Sequence, residues 1–235
     1  MNLIKEIAEK YALRKSPLMF VRGGVKNSNQ FYISGNSLFN QSNLYERNDT
    51  CNSEKIILLN IASIIPRKSI KTIIGALNVL RSKGFNVHFQ HIGEFTKENY
   101  SDIIKLVENY KLEKYVEFHG YINDSRLLEK MYRKADMFVL SSKMEGFPRV
   151  IIESMGQSLP VISTKVGGIK ELFDNEDFIL FFKTGEIEDL AFKIETMITN
   201  RILRKKLIKN GFAYAEKEYS LPDPALVIAE KIHNF

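Results

Sequence analysis

"DMFVLSSKMEGFPRVIIESMGQSLPVIST", residues 136–164, changes its period twice. "MFVLSS" is a short continuous apolar run of strand length. "PRVIIESMGQ" (148–157) repeats its apolar positions at helical spacing, and "PVIST" (160–164) returns to strand character. Strand, helix and strand at this spacing make a βαβ unit, whose two strands run parallel.

The same rhythm extends in both directions. Strands are predicted at 55–62, 86–93, 115–120, 136–142, 160–164 and 178–182. Helices are predicted at 70–84, 97–112, 125–135, 148–157 and 168–174, with two or three more closing the chain. The strands are apolar on both alternating faces, as expected when helices cover both sides of a sheet. The fold class is therefore α/β: a doubly wound, parallel, Rossmann-like sheet with a short irregular N-terminal extension. Ligand binding is expected at the carboxyl ends of the strands.

"EGFPRVIIE" (145–153) occupies that end of the strand at 136–142. Glu145, Gly146 and Phe147 fall in the loop, and Pro148 suits the first helical turn, where a missing N–H costs nothing. The free N–H groups of such a turn attract an anion. A carboxylate on either side suits a ligand with hydroxyls flanking a diphosphate, since a carboxylate accepts O–H donors strongly. The spacing equally allows Glu153 to pair with Arg149 on an exposed helix face, and Glu145 to be an ordinary loop acid.

The 235 residues divide into three segments. Residues 1–53 hold a short amphipathic helix at "MNLIKEIAEKYAL", then an Asn- and Ser-rich stretch with at most one short strand. Residues 54–218 form the Rossmann-like domain, and residues 219–235 a last helix. The net charge of +6 suits anionic ligands, but no basic run marks a nucleic-acid surface. Cys51 is the one cysteine, which excludes an internal disulfide and a thiolate metal cluster. The four histidines lack metal-ligand spacing, and His88 and His91 would face opposite sides of one strand. No apolar run reaches the roughly 18 residues of a membrane span. The opening residues do not read as a secretion signal. A cytoplasmic location is expected, with peripheral attachment at the inner membrane face left open.

The stretch "SSKMEGFPRVIIESMGQSLPVISTKVGGIKELF" resembles the signature of the retaining glycosyltransferases of family 4, within the GT-B fold. Glu145, Gly146, Phe147, Glu153, Ser154, Met155, Gly156, Pro160, Val161, Gly167, Gly168 and Glu171 match its pattern. The resemblance runs from about Lys55 to Asn200 and covers the C-terminal, donor-binding domain of such enzymes. It implies a hexose donor linked to UDP or GDP, a glycan or lipid-linked acceptor, retention of anomeric configuration, and a place in cell-surface polysaccharide synthesis. Glu145 would hold hydroxyls of the sugar, and Lys68 would neutralise the departing diphosphate. Gly146, Phe147 and Pro148 would line the diphosphate, Val150 would help bind the donor, Glu153 would grip the ribose diol, and Tyr121 and Ile122 would frame the base. No metal or other cofactor is implied.

The chain departs from that pattern in places. Ala62 and Ser63 stand where Gly and Arg are expected, and Ser69 replaces a second Gly. Arg67 is the nearest cation that could take the missing one's role. Phe95 stands where a Gly is usual and could narrow the mouth of the site. Gln157 and Ser158 replace a small residue and a Gly. Only about 53 residues precede the domain, so most of an N-terminal domain is expected to be absent, its role falling to a separately encoded half. A catalytically incomplete donor-binding module is the alternative. An NAD-dependent enzyme would need a G-x-G-x-x-G after its first strand, and none is present.

Overall fold

A computed structural model describes residues 41–220, together with two short strands, β1 (Met19–Val21) and β2 (Gln30–Tyr32), that pair in parallel. The helices expected at the N-terminus and at 223–235 lie outside the described residues. The Asn- and Ser-rich stretch contributes β2; the apolar triplet "MFV" of β1 is too short for a periodic signal.

The six remaining strands are β3 (Ile56–Ile61), β4 (Val87–Ile92), β5 (Val116–Phe118), β6 (Met137–Leu140), β7 (Val161–Thr164) and β8 (Ile179–Phe182). They form one sheet in the order β5-β4-β3-β6-β7-β8, with every pairing parallel. Among the described residues, seven α-helices alternate with or follow them: α1 (Ile70–Ser82), α2 (Lys97–Asn109), α3 (Ser125–Lys134), α4 (Arg149–Gly156), α5 (Gly167–Leu172), α6 (Ile187–Thr199) and α7 (Arg201–Tyr219).

The apolar runs are continuous because each strand feeds two cores. In β6, Met137 and Val139 join the core under α1, α2 and α6, while Phe138 and Leu140 join the core under α3, α4, α5 and α7. Leu58 and Leu59 of β3 divide in the same way, as the period of two requires. Truncating the fully buried Phe138 to Ala would cost about 3–5 kcal/mol in transfer and cavity terms.

One close helix contact stands in the outer layer on each face of the sheet. A Cβ on Gly75 of α1 would come within 2.6 Å of Ile187 in α6, and one on Gly211 of α7 within 3.0 Å of Met155 in α4. The α4–α7 contact fixes the helix that begins at "EGFPRV".

Residues 43–51 are strapped across this layer. The Tyr45 N–H donates to the Gly156 carbonyl (2.9 Å) and the Arg47 N–H to Ser158 Oγ (3.1 Å). The Arg47 guanidinium caps the end of α3, donating to the carbonyls of Arg133 (2.9 Å) and Ala135 (2.8 Å). Asp49 pairs with Arg204 (2.8 Å) and Arg201 (2.7 Å) at the start of α7. Asp136 accepts from the Cys51 N–H (2.7 Å) and the Ile57 N–H (2.8 Å), joining the strap to the entry of β3.

Candidate functional site

Chain order reverses at the β3–β6 pair: β4 and β5 lie to one side, β7 and β8 to the other. The loops leaving such a pair diverge and open a crevice at the carboxyl ends. Residues 62–69 and 141–148 leave β3 and β6 at this point, and they carry Ser63, Arg67, Lys68, Glu145, Gly146, Phe147 and Pro148.

The two loops are tied together by their backbones. The Lys143 N–H donates to the Arg67 carbonyl (2.7 Å), and Ser141 Oγ donates to the carbonyls of Lys68 (2.8 Å) and Ser69 (3.0 Å). This brings Lys68 and Glu145 into an ion pair of 2.5 Å, with side chains only 15 % and 9 % exposed. Ser142 Oγ donates to the same oxygen, Glu145 Oε1, at 2.5 Å. Its backbone is held in turn by Thr164, whose Oγ1 donates to the Ser142 carbonyl (2.6 Å). Glu145 Oε2 has no hydrogen-bond partner among the described residues. The carboxylate is thus held by one oxygen and presents the other.

Gly167 and Gly168 form the bed of this loop. The Gly168 N–H donates to the Glu145 carbonyl (3.0 Å). A Cβ on Gly168 would lie 1.6 Å from the Gly146 carbonyl oxygen, and one on Gly167 would lie 2.1 Å from the Glu145 carbonyl oxygen. Gly167 also has φ +48°, the left-handed region that glycine adopts most readily.

Helix α4 begins at Arg149 with the buried Pro148 as its N-cap, one residue later than the sequence suggests. Proline offers no side-chain cap, so the turn keeps open donors. The Arg149 N–H is turned to the Phe147 carbonyl and the Ile151 N–H to the Pro148 carbonyl, each at 3.0 Å. Among the described residues, the N–H groups of Gly146, Phe147 and Val150 have no partner. Phe147 and Val150 rest their side chains against the core.

Glu153 is buried, 9 % exposed, and Oε2 accepts from Tyr132 Oη of α3 at 3.1 Å. It does not sit on an exposed helix face. Burial first, then the charge of Glu153, push the Tyr132 phenol well above its usual range, so it stays protonated and donates.

The other predicted residues are less enclosed. Ser63 and Arg67 are exposed, and Arg67 makes no ion pair among the described residues. Tyr121 is 64 % exposed after β5, two strands away from β3, with its hydroxyl 3.5 Å from Asn123 Oδ1. Ile122 is half-buried against the core under α3. Phe95 stacks on Tyr100 of α2 (4.3 Å between centroids, 18° between planes), which orients it toward the helix. Gly93 lets this loop approach β3, since a Cβ there would meet the Ala62 carbonyl oxygen at 1.9 Å.

Beneath the loop after β3 runs a buried polar chain. His91 Nδ1 meets Asn60 Oδ1 (2.9 Å), and Asn60 Nδ2 donates to the Val139 carbonyl (2.7 Å). Because the amide N–H is committed to Val139, Nδ1 carries the proton and donates. His91 is fully buried. Burial, with a smaller repulsion from His119, lowers it to about 4, the Ala62 main chain opposing the shift; Nε2 has no hydrogen-bond partner among the described residues.

Ser142 and Tyr132, the hydroxyls that hold the two acids, are absent from the predicted set. Ser142 carries a readable signal, a serine closing a strand three residues before an acid. Tyr132 carries none, because its partner lies 21 residues on and in another element.

The family model for "Glycosyl transferases group 1" matches residues 43–214. The capsular polysaccharide biosynthesis glycosyltransferase CapM of Staphylococcus aureus is 28% identical over 171 residues, covering 72% of this chain and 43% of that protein. The chain spans about half the length, or less, of the curated relatives it matches. Anabaena Alr3699/HepE, solved in complex with UDP and glucose, superposes with a TM-score of 0.79 at 19% identity, covering 98% of this chain and 66% of that one. The C-terminal domain of the group 1 family protein LpcC from Francisella tularensis gives a TM-score of 0.67 at 24% identity, covering 78% of this chain and 100% of that one.

Proposed function

Because the chain belongs to the glycosyl transferases group 1 family, we propose that it binds a nucleoside-diphosphate hexose, UDP- or GDP-linked, and serves transfer of the sugar with retention to a glycan or lipid-linked acceptor. The observation that carries this reading is the Lys68–Glu145 pair beside the open turn of α4. Glu145 Oε2 accepts sugar hydroxyls. The N–H groups of Gly146, Phe147 and Val150 donate to the diphosphate oxygens, with the helix dipole adding to their pull. Lys68, the residue of the pair that carries positive charge, moves between Glu145 and the diphosphate. In transfer the bond from the anomeric carbon to the β-phosphate oxygen breaks and a bond to the acceptor oxygen forms. The acceptor proton leaves with the diphosphate, whose growing charge is stabilised by Lys68 and the α4 donors. Glu153 takes the ribose diol, Tyr121 and Ile122 frame the base, and the exposed Arg67 reaches the diphosphate in place of the arginine absent at Ser63.

An acceptor-binding half completes the enzyme in this reading, as part of a longer chain or as a separate protein. Work on cell-surface polysaccharide fits a relative such as CapM, named for capsular polysaccharide biosynthesis, and peripheral attachment at the inner membrane face belongs to this reading. No helix among the described residues is long and apolar enough to cross a membrane. A second reading, a donor-binding module incomplete for catalysis, is favoured by Ser63, which removes one cation.

Calorimetric titration with UDP, GDP and their hexose conjugates, alongside Glu153→Ala, tests the proposal. Micromolar binding lost in the variant is expected. No binding at several millimolar would refute donor recognition.

A further inference from the structure

We propose that Tyr132 is a positioning residue that orients Glu153 for ribose recognition, and that the strap at residues 43–47 holds the helix end from which Tyr132 acts. This rests on the reading of Glu153 as the ribose acid.

Tyr132 is fully buried, with its ring against Phe138 (6.4 Å between centroids) and its hydroxyl 3.1 Å from Glu153 Oε2. A glutamate has three rotatable bonds, and a carboxylate offers about four acceptor positions. A donor that cannot move narrows the orientations open to the group. That part of the ordering is done before a ligand arrives, which is the usual source of affinity from preorganisation. A phenol suits this task beside an acid because it donates while remaining uncharged.

The position of Tyr132 is itself determined. It lies in the last turn of α3, where the Arg47 guanidinium reaches the carbonyls of Tyr132 (3.4 Å), Arg133 (2.9 Å) and Ala135 (2.8 Å). The same strap holds the far end of α4, which carries Glu153. Gln157 donates to the Asn43 carbonyl (2.5 Å) and accepts from Arg133 Nε (3.4 Å), and Ser158 Oγ accepts from the Arg47 N–H. Gln157 and Ser158 are the two residues that depart from the family pattern at this point. Ser158 adopts φ +52°, a conformation that favours glycine, and its hydroxyl makes a contact glycine could not. The departures therefore build a joint between α3, α4 and the strap, with the donor and acceptor of the Tyr132–Glu153 contact on either side of it.

The test compares UDP with 2′,3′-dideoxy-UDP by calorimetry, using the GDP pair where uridine does not bind. Wild type is expected to prefer the ribose form by roughly tenfold or more, the worth of a hydrogen bond to a charged group. Tyr132→Phe is expected to reduce that preference to roughly threefold or less while leaving dideoxy affinity unchanged. Adding Tyr132→Phe to Glu153→Ala, which removes the positioned group, should then change nothing further. If Tyr132→Phe does not fold, Arg47→Gln, which frees the α3 end, should lower the ribose preference severalfold with dideoxy binding intact. Retention of the full preference in a folded variant overturns the inference, as does equal loss for both ligands, which marks a purely structural tyrosine. A wild-type protein that binds neither nucleotide, or binds both forms equally, overturns the reading of Glu153 itself.

Discussion

Replacing Gly168 by alanine should displace the loop that carries Glu145. The added Cβ would stand 1.6 Å from the Gly146 carbonyl oxygen and 2.8 Å from its carbon, where ordinary contact begins at 3.4 Å. The difference, 3.4 − 1.6, is 1.8 Å, and both obstructing atoms are backbone, so no rotamer change relieves it. Overpacking of this kind costs about 1–3 kcal/mol. A shift of that size also breaks the 3.0 Å bond from the Gly168 N–H to the Glu145 carbonyl, worth about 0.5–1.5 kcal/mol. It further draws Glu145 away from Lys68, leaving two largely buried charges less well paired. The combined loss is about 2–5 kcal/mol, or roughly 5–20 °C in melting temperature for a domain of this size. Thermal and denaturant unfolding read the stability, and nucleotide titration reads the site. A folded Gly168→Ala protein that melts within about 2 °C of wild type and binds nucleotide normally would refute the steric argument.

Two pH effects follow from buried titratable groups. His91 is lowered to about 4 by burial, below its ordinary 6.5, so it favours the native state fully above 6.5 and loses that contribution as pH falls toward 4. The difference is worth about 3 kcal/mol; His91→Gln should flatten stability between pH 6.5 and 4, and an unchanged acid limb would sink the argument. Asp49 is held at about 2 although burial alone would raise it, because hydrogen bonds from Arg204 and Arg201 outweigh that cost. Its contribution is present above pH 4 and lost as pH falls from 4 toward 2. Linkage gives about 2.4 kcal/mol, reduced to about 1–2 because Arg201 is 67 % exposed and solvent screens it. Asp49→Asn should lower urea stability at pH 7 by at least that amount and by much less at pH 2.5; an equal loss at both pH values would contradict it.

The elements were legible because each strand and helix carries its own period. Apolar residues on both faces of "MFVL" announce a strand covered on two sides, and "RVIIESM" announces a helix, which the structure buries between the sheet and α7. The acids Glu145 and Glu153 were legible too, since their spacing depends only on one loop and one helix. Tyr132 was not legible as the partner of Glu153, nor Arg47 as the cap of α3, because each contact joins separate elements. Gln157 and Ser158 read as departures from a pattern until the strap at 43–47 was seen against them.

By itself, then, the amino-acid sequence determined the alternation of strands and helices, the parallel sheet, and the two acids around an open helix turn. The order of the strands was decided only in three dimensions. Lys68 and Glu145 are 77 residues apart and meet because β3 pairs with β6, although β4 and β5 intervene along the chain. Local periodicity records which face of an element is buried, but carries no record of which element lies beside it. The partners of the two carboxylates, and hence the geometry of the site, come from that choice of neighbours.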